Sequence, residues 1–223
     1  MTAEKKEQLV KRLENIWFYY KWYIIILGLL GAFTIYACAQ CSSRVEADMT
    51  ILFVTGKDNS TFTDATCKEI KAYIGREYFS DINGDGEEKI EYFHYEVSDS
   101  VKTTDTTIQQ ALTMTIIDES TFLIICDETG YEHLAAIGSE DTPVDVLEPL
   151  TDVDGAEGYR ISLKGTSLGS LPTINEMGDE EELFLCLRAY TGTGAEKDKA
   201  ATKRYKTARD TFMQIIYDKD EEK

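Results

Sequence analysis

Residues 22–39 read WYIIILGLLGAFTIYACA, a run with neither charge nor proline. As a helix rising ~1.5 Å per residue it spans about 27 Å, close to the hydrocarbon thickness of a bilayer. Just before it and at its start, Trp17, Phe18, Tyr19, Tyr20, Trp22 and Tyr23 suit an interfacial aromatic belt, and Lys21 can snorkel among them. Residues 22–39 are therefore expected to form a transmembrane helix, with membrane lipid its partner along residues 17–39. In residues 1–21, Leu9, Leu13, Ile16, Trp17 and Tyr20 share one helical face. That segment reads as a cytoplasmic amphipathic lead-in that runs into the membrane helix without a break.

The flanks set the expected orientation. Lys5, Lys6, Lys11, Arg12 and Lys21 stand before the run, and Arg44 alone stands just after it. The positive-inside bias puts the N-terminus in the cytoplasm and residues 45–223 outside, so the chain is expected to be a single-pass protein of the cell membrane. Of the total charge of −18, the first 21 residues hold +2 and the remainder −20. That balance argues against nucleic acid as a partner of the large part, and against its lying flat on an anionic membrane. Two alternatives stay open. Ala37-Cys38-Ala39 has the small-residue form of a signal-peptide cleavage site. Ile35-Tyr36-Ala37-Cys38 resembles a degraded bacterial lipobox, with Cys38 as the lipid-carrying residue. Either leaves the large part outside.

After a spacer at 40–47, the remaining chain is long enough for one domain with a real core and short for two. Its pattern alternates. Strands are expected at 48–54 (DMTILFV), 89–97 (KIEYFHYEV), 121–126 (TFLIIC), 159–163 (YRISL) and 183–190 (LFLCLRAY). Helices are expected at 61–79, 105–117, 128–137 and 196–217. TFLIIC is wholly apolar, as a strand buried on both faces must be. Alternation of this kind predicts an α/β fold: an N-terminal transmembrane helix, then a three-layer domain over 48–217 with a mostly parallel sheet, and an acidic tail at 218–223. A binding crevice in such a sheet lies beyond the carboxyl ends of its strands. All three prolines fall within 139–180, a turn-rich stretch.

Two resemblances attach to these segments. ENIWFYYKWYIIILG, followed by a strand, a helix, DINGDG and another strand, looks like a group of uncharacterised single-pass membrane proteins of Firmicutes. That likeness covers most of the chain and implies no activity. QQALTMTI, TFLIICDE and YEHLAAIG resemble one lobe of an extracellular solute-binding protein over about residues 48–165. There a strand leads to an aspartate and a helix, then to a strand whose place is taken here by GYRISL. A complete protein of that kind has two lobes, and the chain returns at LFLCLRAY too soon for a second. The resemblance implies a fold and, as an alternative function, a ligand-binding accessory or sensor of a transporter.

One segment has a chemical case. Asp81-Ile82-Asn83-Gly84-Asp85-Gly86 matches the first half of an EF-hand loop. Asp81, Asn83 and Asp85 are oxygen donors at positions 1, 3 and 5, Gly86 sits at the sharp turn, and Glu87 offers its carbonyl. Position 9 is Lys89 and position 12 is Tyr92, where a bidentate glutamate belongs. The expectation is an Asx-type turn, with weak calcium binding as the competing reading and no other cofactor. Asp152-Val153-Asp154-Gly155 and Gly192-Thr193-Gly194 read as connections. His94 and His133 lack metal-ligand spacing. Asp118-Glu119 and Asp127-Glu128 read as solvated element ends. Cys38 and Cys41 belong to the membrane end. Cys67, Cys126 and Cys186 read as buried small residues, with a Cys126–Cys186 bridge left open. No nucleophile elbow or acid/base pair stands out. The expected function is binding without catalysis. The expected partner is another envelope protein or a small ligand.

Overall fold

In the computed structural model the described residues are 3–42, 47–59, 61–78, 81–82, 86–101, 104–118, 120–137, 146–177, 181–191 and 193–218. The chain divides into two units, Met1–Val45 and Glu46–Lys223.

The first unit is one helix, α1 (Ala3–Ser42), and the lead-in joins the apolar run without interruption. Its stretch Trp17–Cys38 is long and apolar enough to cross a membrane, with a mean hydropathy of 1.6 and none of it buried within the protein. The hydroxyl of Thr34 donates to the Leu30 carbonyl at 2.8 Å, so this polar group is satisfied inside its own helix.

The second unit is a five-stranded sheet covered on both faces. Its strands are β1 (Met49–Gly56), β2 (Ile90–Val97), β3 (Thr121–Cys126), β4 (Ile161–Ser162) and β5 (Phe184–Leu187). They lie in the order β2-β1-β3-β5-β4. β1 pairs in parallel with β2 and β3, while β5 runs antiparallel between β3 and β4. Four strands thus point one way and β5 the other. The helices are α2 (Asp64–Glu77), α3 (Thr106–Ile117), α4 (Glu128–Ile137), α5 (Pro172–Asn175) and α6 (Lys199–Tyr217).

Alternation along the apolar strands divides the core. Ile51, Phe53, Leu123, Ile125 and Leu185 face one layer, where they meet Ile70 and Ile74 of α2 and Ala208, Phe212 and Ile215 of α6. Leu52, Val54, Ile124, Cys126 and Cys186 face the other, against Leu112 and Ile116 of α3 and Leu134 of α4. Every residue of β1 and β3 is buried, as strands with helices on both sides require. The three-layer α/β expectation holds.

Element limits differ where caps intervene. α3 starts after Asp105, whose carboxylate accepts the Thr107 N–H at 2.7 Å. The last helix begins at Lys199, not Glu196: Asp198 accepts from Ala200 and Ala201 at 2.6 and 2.9 Å, and the preceding Gly194–Lys197 forms a 3-10 turn. The YRISL segment contributes only Ile161–Ser162 to the sheet. α1 continues to Ser42, so residues 40–42 of the expected spacer at 40–47 are helical; residues 43–46, Asn83, Asp85 and the tail from 219 lie outside the described residues.

Candidate functional site

The strand order creates a switch point. From β1 the chain crosses through α2 to β2 on one side, then returns through α3 to β3 on the other. The two connections leave in opposite directions, so a crevice opens between the carboxyl ends of β1 and β3. A cleft of about 460 Å³ lies there. Gly56 ends β1 and Asp58 and Asn59 follow it, Asp99 follows β2, and Asp127, Glu128 and Thr129 follow β3. Glu181, Glu182 and Phe184 arrive at the start of β5, whose reversed direction brings its amino end to this side. Six of the ten are carboxylic acids.

Asp127 organises the cleft. It is buried, with 7% of its surface exposed. One carboxylate oxygen accepts the Gly56 N–H at 2.8 Å and the Asn59 side-chain amide at 3.1 Å; the other accepts the Gly130 N–H at 2.8 Å. It therefore caps α4 and ties the end of β3 to the turn after β1. The expectation of a solvated acid pair fails here: Glu128 is exposed, but its neighbour is a buried anchor. Glycine is required at 130, because a Cβ there would lie 2.0 Å from the Val54 carbonyl oxygen. We expect Gly130→Ala to push α4 off β1 and cost about 1–3 kcal/mol, read from denaturant unfolding. An unchanged midpoint would contradict this packing.

The remaining acids differ in their partners. Glu128 receives Arg160 at 2.6 Å, and that guanidinium lies over the rings of Phe184 and Tyr131, 4.1 and 4.5 Å from their centroids. Glu182 accepts the Ser162 hydroxyl. Asp58, Asp99 and Glu181 have no partner among the described residues. Among the described residues these three acids have no compensating partner, which favours a cation.

The DINGDG loop lies at the other end of the sheet, before β2. Asp81 accepts the Gly86 N–H at 2.8 Å, and Gly86 has a φ of 88°. Buried Asp48 fastens both ends of the loop, accepting from Ile82 and Lys89 at 3.0 Å each. Lys203 also reaches the Ile82 carbonyl. Asn83 and Asp85 are outside the described residues, so only Asp81 and Glu87 of the calcium set are placed. Among the described residues, no group of three or more His, Cys, Asp or Glu could hold a metal. We expect Gly86→Ala to cost about 1 kcal/mol, since L-residues strain at positive φ. Equal stability of the variant would contradict the turn geometry.

The other motifs stay apart. His94 on β2 bonds the Thr55 hydroxyl at 2.8 Å, and burial holds its pKa below the usual histidine range. His133 is buried on α4, with Nε2 2.8 Å from the Ser98 carbonyl. Cys126 and Cys186 place their sulfurs 3.9 Å apart in the core; the contact with Cys186 and burial raise the Cys126 pKa well above the thiol range. Burial pushes Cys67 up to about 12. Neither Cys67 nor Cys126 is a thiolate at neutral pH. Gly155 (φ 79°) turns the Asp152–Gly155 segment, and Asp152 pairs with Arg209 at 2.5 Å. The Thr193 hydroxyl closes its loop onto the Tyr190 carbonyl at 2.6 Å.

No family model matches this chain, and no curated protein and no solved structure is similar to it. Its fold and its cleft alone carry the functional reading.

Proposed function

We propose that this chain is a membrane-anchored, extracytoplasmic binding domain without catalytic activity, which engages a positively charged partner at the acidic cleft. The observation that carries the reading is the convergence of Asp58, Asp99, Glu181 and Asp127 at the switch point of the sheet. These acids arrive from three strand ends and from the loop before β5. The partner is a basic segment of another envelope protein. The alternative is a small cationic ligand, with the chain acting as an accessory or sensor beside a transporter; the cleft volume of about 460 Å³, in the range of small-molecule sites, supports it.

The test uses the full chain in detergent. Its melting temperature is measured with a lysine-rich peptide, with spermidine and with a glutamate-rich control peptide. The reading expects stabilisation by a cationic probe, weakened by salt and lost in Glu181→Gln/Asp58→Asn. Peptide alone favours the protein partner, and spermidine alone favours the small ligand. Equal response to the acidic control, or no response at all, would sink the proposal. Topology is tested separately. Protease added to intact protoplasts is expected to digest the chain beyond residue 45 and spare the N-terminus.

Calcium at Asp81–Glu87 is a second proposal, supported by the positive φ of Gly86 at the sixth loop position. At about 10 mM calcium, the melting temperature should rise, and Asp81→Ala/Asp85→Ala should abolish the rise. A wild-type temperature that does not move would leave the loop a plain turn.

A further inference from the structure

β2 is a rim of the sheet, and its ladder to β1 uses alternate residues. The Asp48 N–H reaches the Lys89 carbonyl at 2.9 Å, and the Lys57 N–H reaches that of Val97 at 2.8 Å. With the register fixed between them, Glu91, Phe93 and Tyr95 bond β1. The backbone N–H and C=O groups of Ile90, Tyr92, His94 and Glu96 point outward and have no partner among the described residues. The strand is eight residues long and carries one exposed aromatic residue beside a half-buried one. Phe93 is 44% exposed and stacks on Tyr95, their centroids 6.4 Å apart. A rim of this length and composition is a template for another strand.

We propose that β2 pairs antiparallel with β2 of a second copy of this chain, about a two-fold axis at His94, joining two sheets into one. The phase of the outward groups restricts the axis. In an antiparallel ladder, outward residues must oppose outward residues, so even numbers face even numbers. The axis then falls on Tyr92, Phe93, His94 or Tyr95. An axis at Tyr92 sets Glu88 against Glu96 of the other copy. One at Phe93 sets Glu87 against Asp99. One at Tyr95 sets Glu91 against Asp99. Like charges directly opposite destabilise a strand pair.

The axis at His94 avoids all of these. It sets Phe93 against Tyr95 twice, Tyr92 against Glu96, Glu91 against Val97, and Lys89 against Asp99. Aromatic pairs and an opposite-charge pair form at mirrored positions, and no acid faces an acid. This self-complementarity, in one register only, makes a second copy the occupant. The inference does not depend on what the cleft binds: the ladder is made by the outward backbone groups of residues 90–96, and only Asp99, at its flank, belongs to both surfaces.

The experiment uses the full chain in detergent micelles, with Cys38 and Cys41 replaced by serine. One preparation carries Phe93→Cys and the other Tyr95→Cys, with different tags. The His94 axis predicts a disulfide between the two chains on mixing under mild oxidation, since these residues face each other in a non-hydrogen-bonded pair. A disulfide in Phe93→Cys alone, with none in the mixture, would place the axis at Phe93 and overturn the assignment. Mass measurement provides the second readout. Glu96→Pro removes an outward N–H that β1 does not use, so the monomer should keep its melting temperature. It should weaken self-association by about tenfold or more, because symmetry removes the donor twice. A wild-type chain that stays monomeric, a dimer indifferent to Glu96→Pro, or a β2 rim cross-linked only to a different protein would each overturn the proposal.

Discussion

Leu185→Ala and Ile124→Ala are each expected to destabilise the domain by about 2–5 kcal/mol. Both side chains are fully buried, Leu185 against the α2–α6 layer and Ile124 against the α3–α4 layer. Each substitution leaves a cavity between a central strand and a helix layer, and neighbours on a paired strand cannot close in on it. β3 is held on both sides, by β1 and by β5, so its backbone has little freedom to relax. Urea unfolding of the full chain checks this. A loss below about 0.5 kcal/mol at either position would mean that its strand is not central and that the sheet order is wrong.

Asp127→Ala is expected to cost about 3 kcal/mol, and more than Asp127→Asn. The carboxylate accepts from two backbone N–H groups and one side-chain amide at 2.8–3.1 Å. Alanine leaves Gly56 and Gly130 without their acceptor in a buried corner, and unmet buried donors cost about 1–3 kcal/mol each. Asparagine keeps one acceptor oxygen and should retain part of the stability. The two substitutions also separate roles. If stability falls in both while cation binding to the cleft survives in Asp127→Asn, the residue positions the rim and is not itself a ligand. If neither lowers the urea midpoint, the anchor described here is wrong.

Much of the fold was legible because its elements carry their own punctuation. TFLIIC is apolar after its first residue and flanked by polar residues, and the strand runs over Thr121–Cys126 as expected. Glu128–Ile137 follows a capping aspartate and agrees equally well. Where local signals compete, the limits moved. Glu196 looked like a helix start, but Asp198 holds two backbone N–H groups and opens the helix one residue further on, at Lys199. The stretch around YRISL formed two strand residues, because its pairing depends on β5 and not on its own pattern. The cleft was half legible. Its place followed from the strand–helix alternation. Its lining did not, because Asp58 and Glu181 meet only through the reversed direction of β5. Asp127 did leave a signal: it directly follows an apolar strand and precedes a glycine-bearing helix start, where a short acid is well placed to cap.

The reversed strand also sets an order of events for the nascent chain. Synthesis proceeds from the N-terminus, so β1, β2 and β3 can pair as soon as Cys126 has emerged. Leu123 and Ile125 then wait for Leu187 and Leu185, some 60 residues later. Until those arrive, the far rim of β3 is an open template in the middle of the future sheet, with apolar side chains from Phe122 to Cys126. Closure of a loop this long is slow relative to the local β1–α2–β2 step. α6, which seals the same face, comes later still. The vulnerable period of β3 therefore ends only when β5 and α6 have been made. A holding factor that recognises bare strand rims would find its target in β3 during that interval.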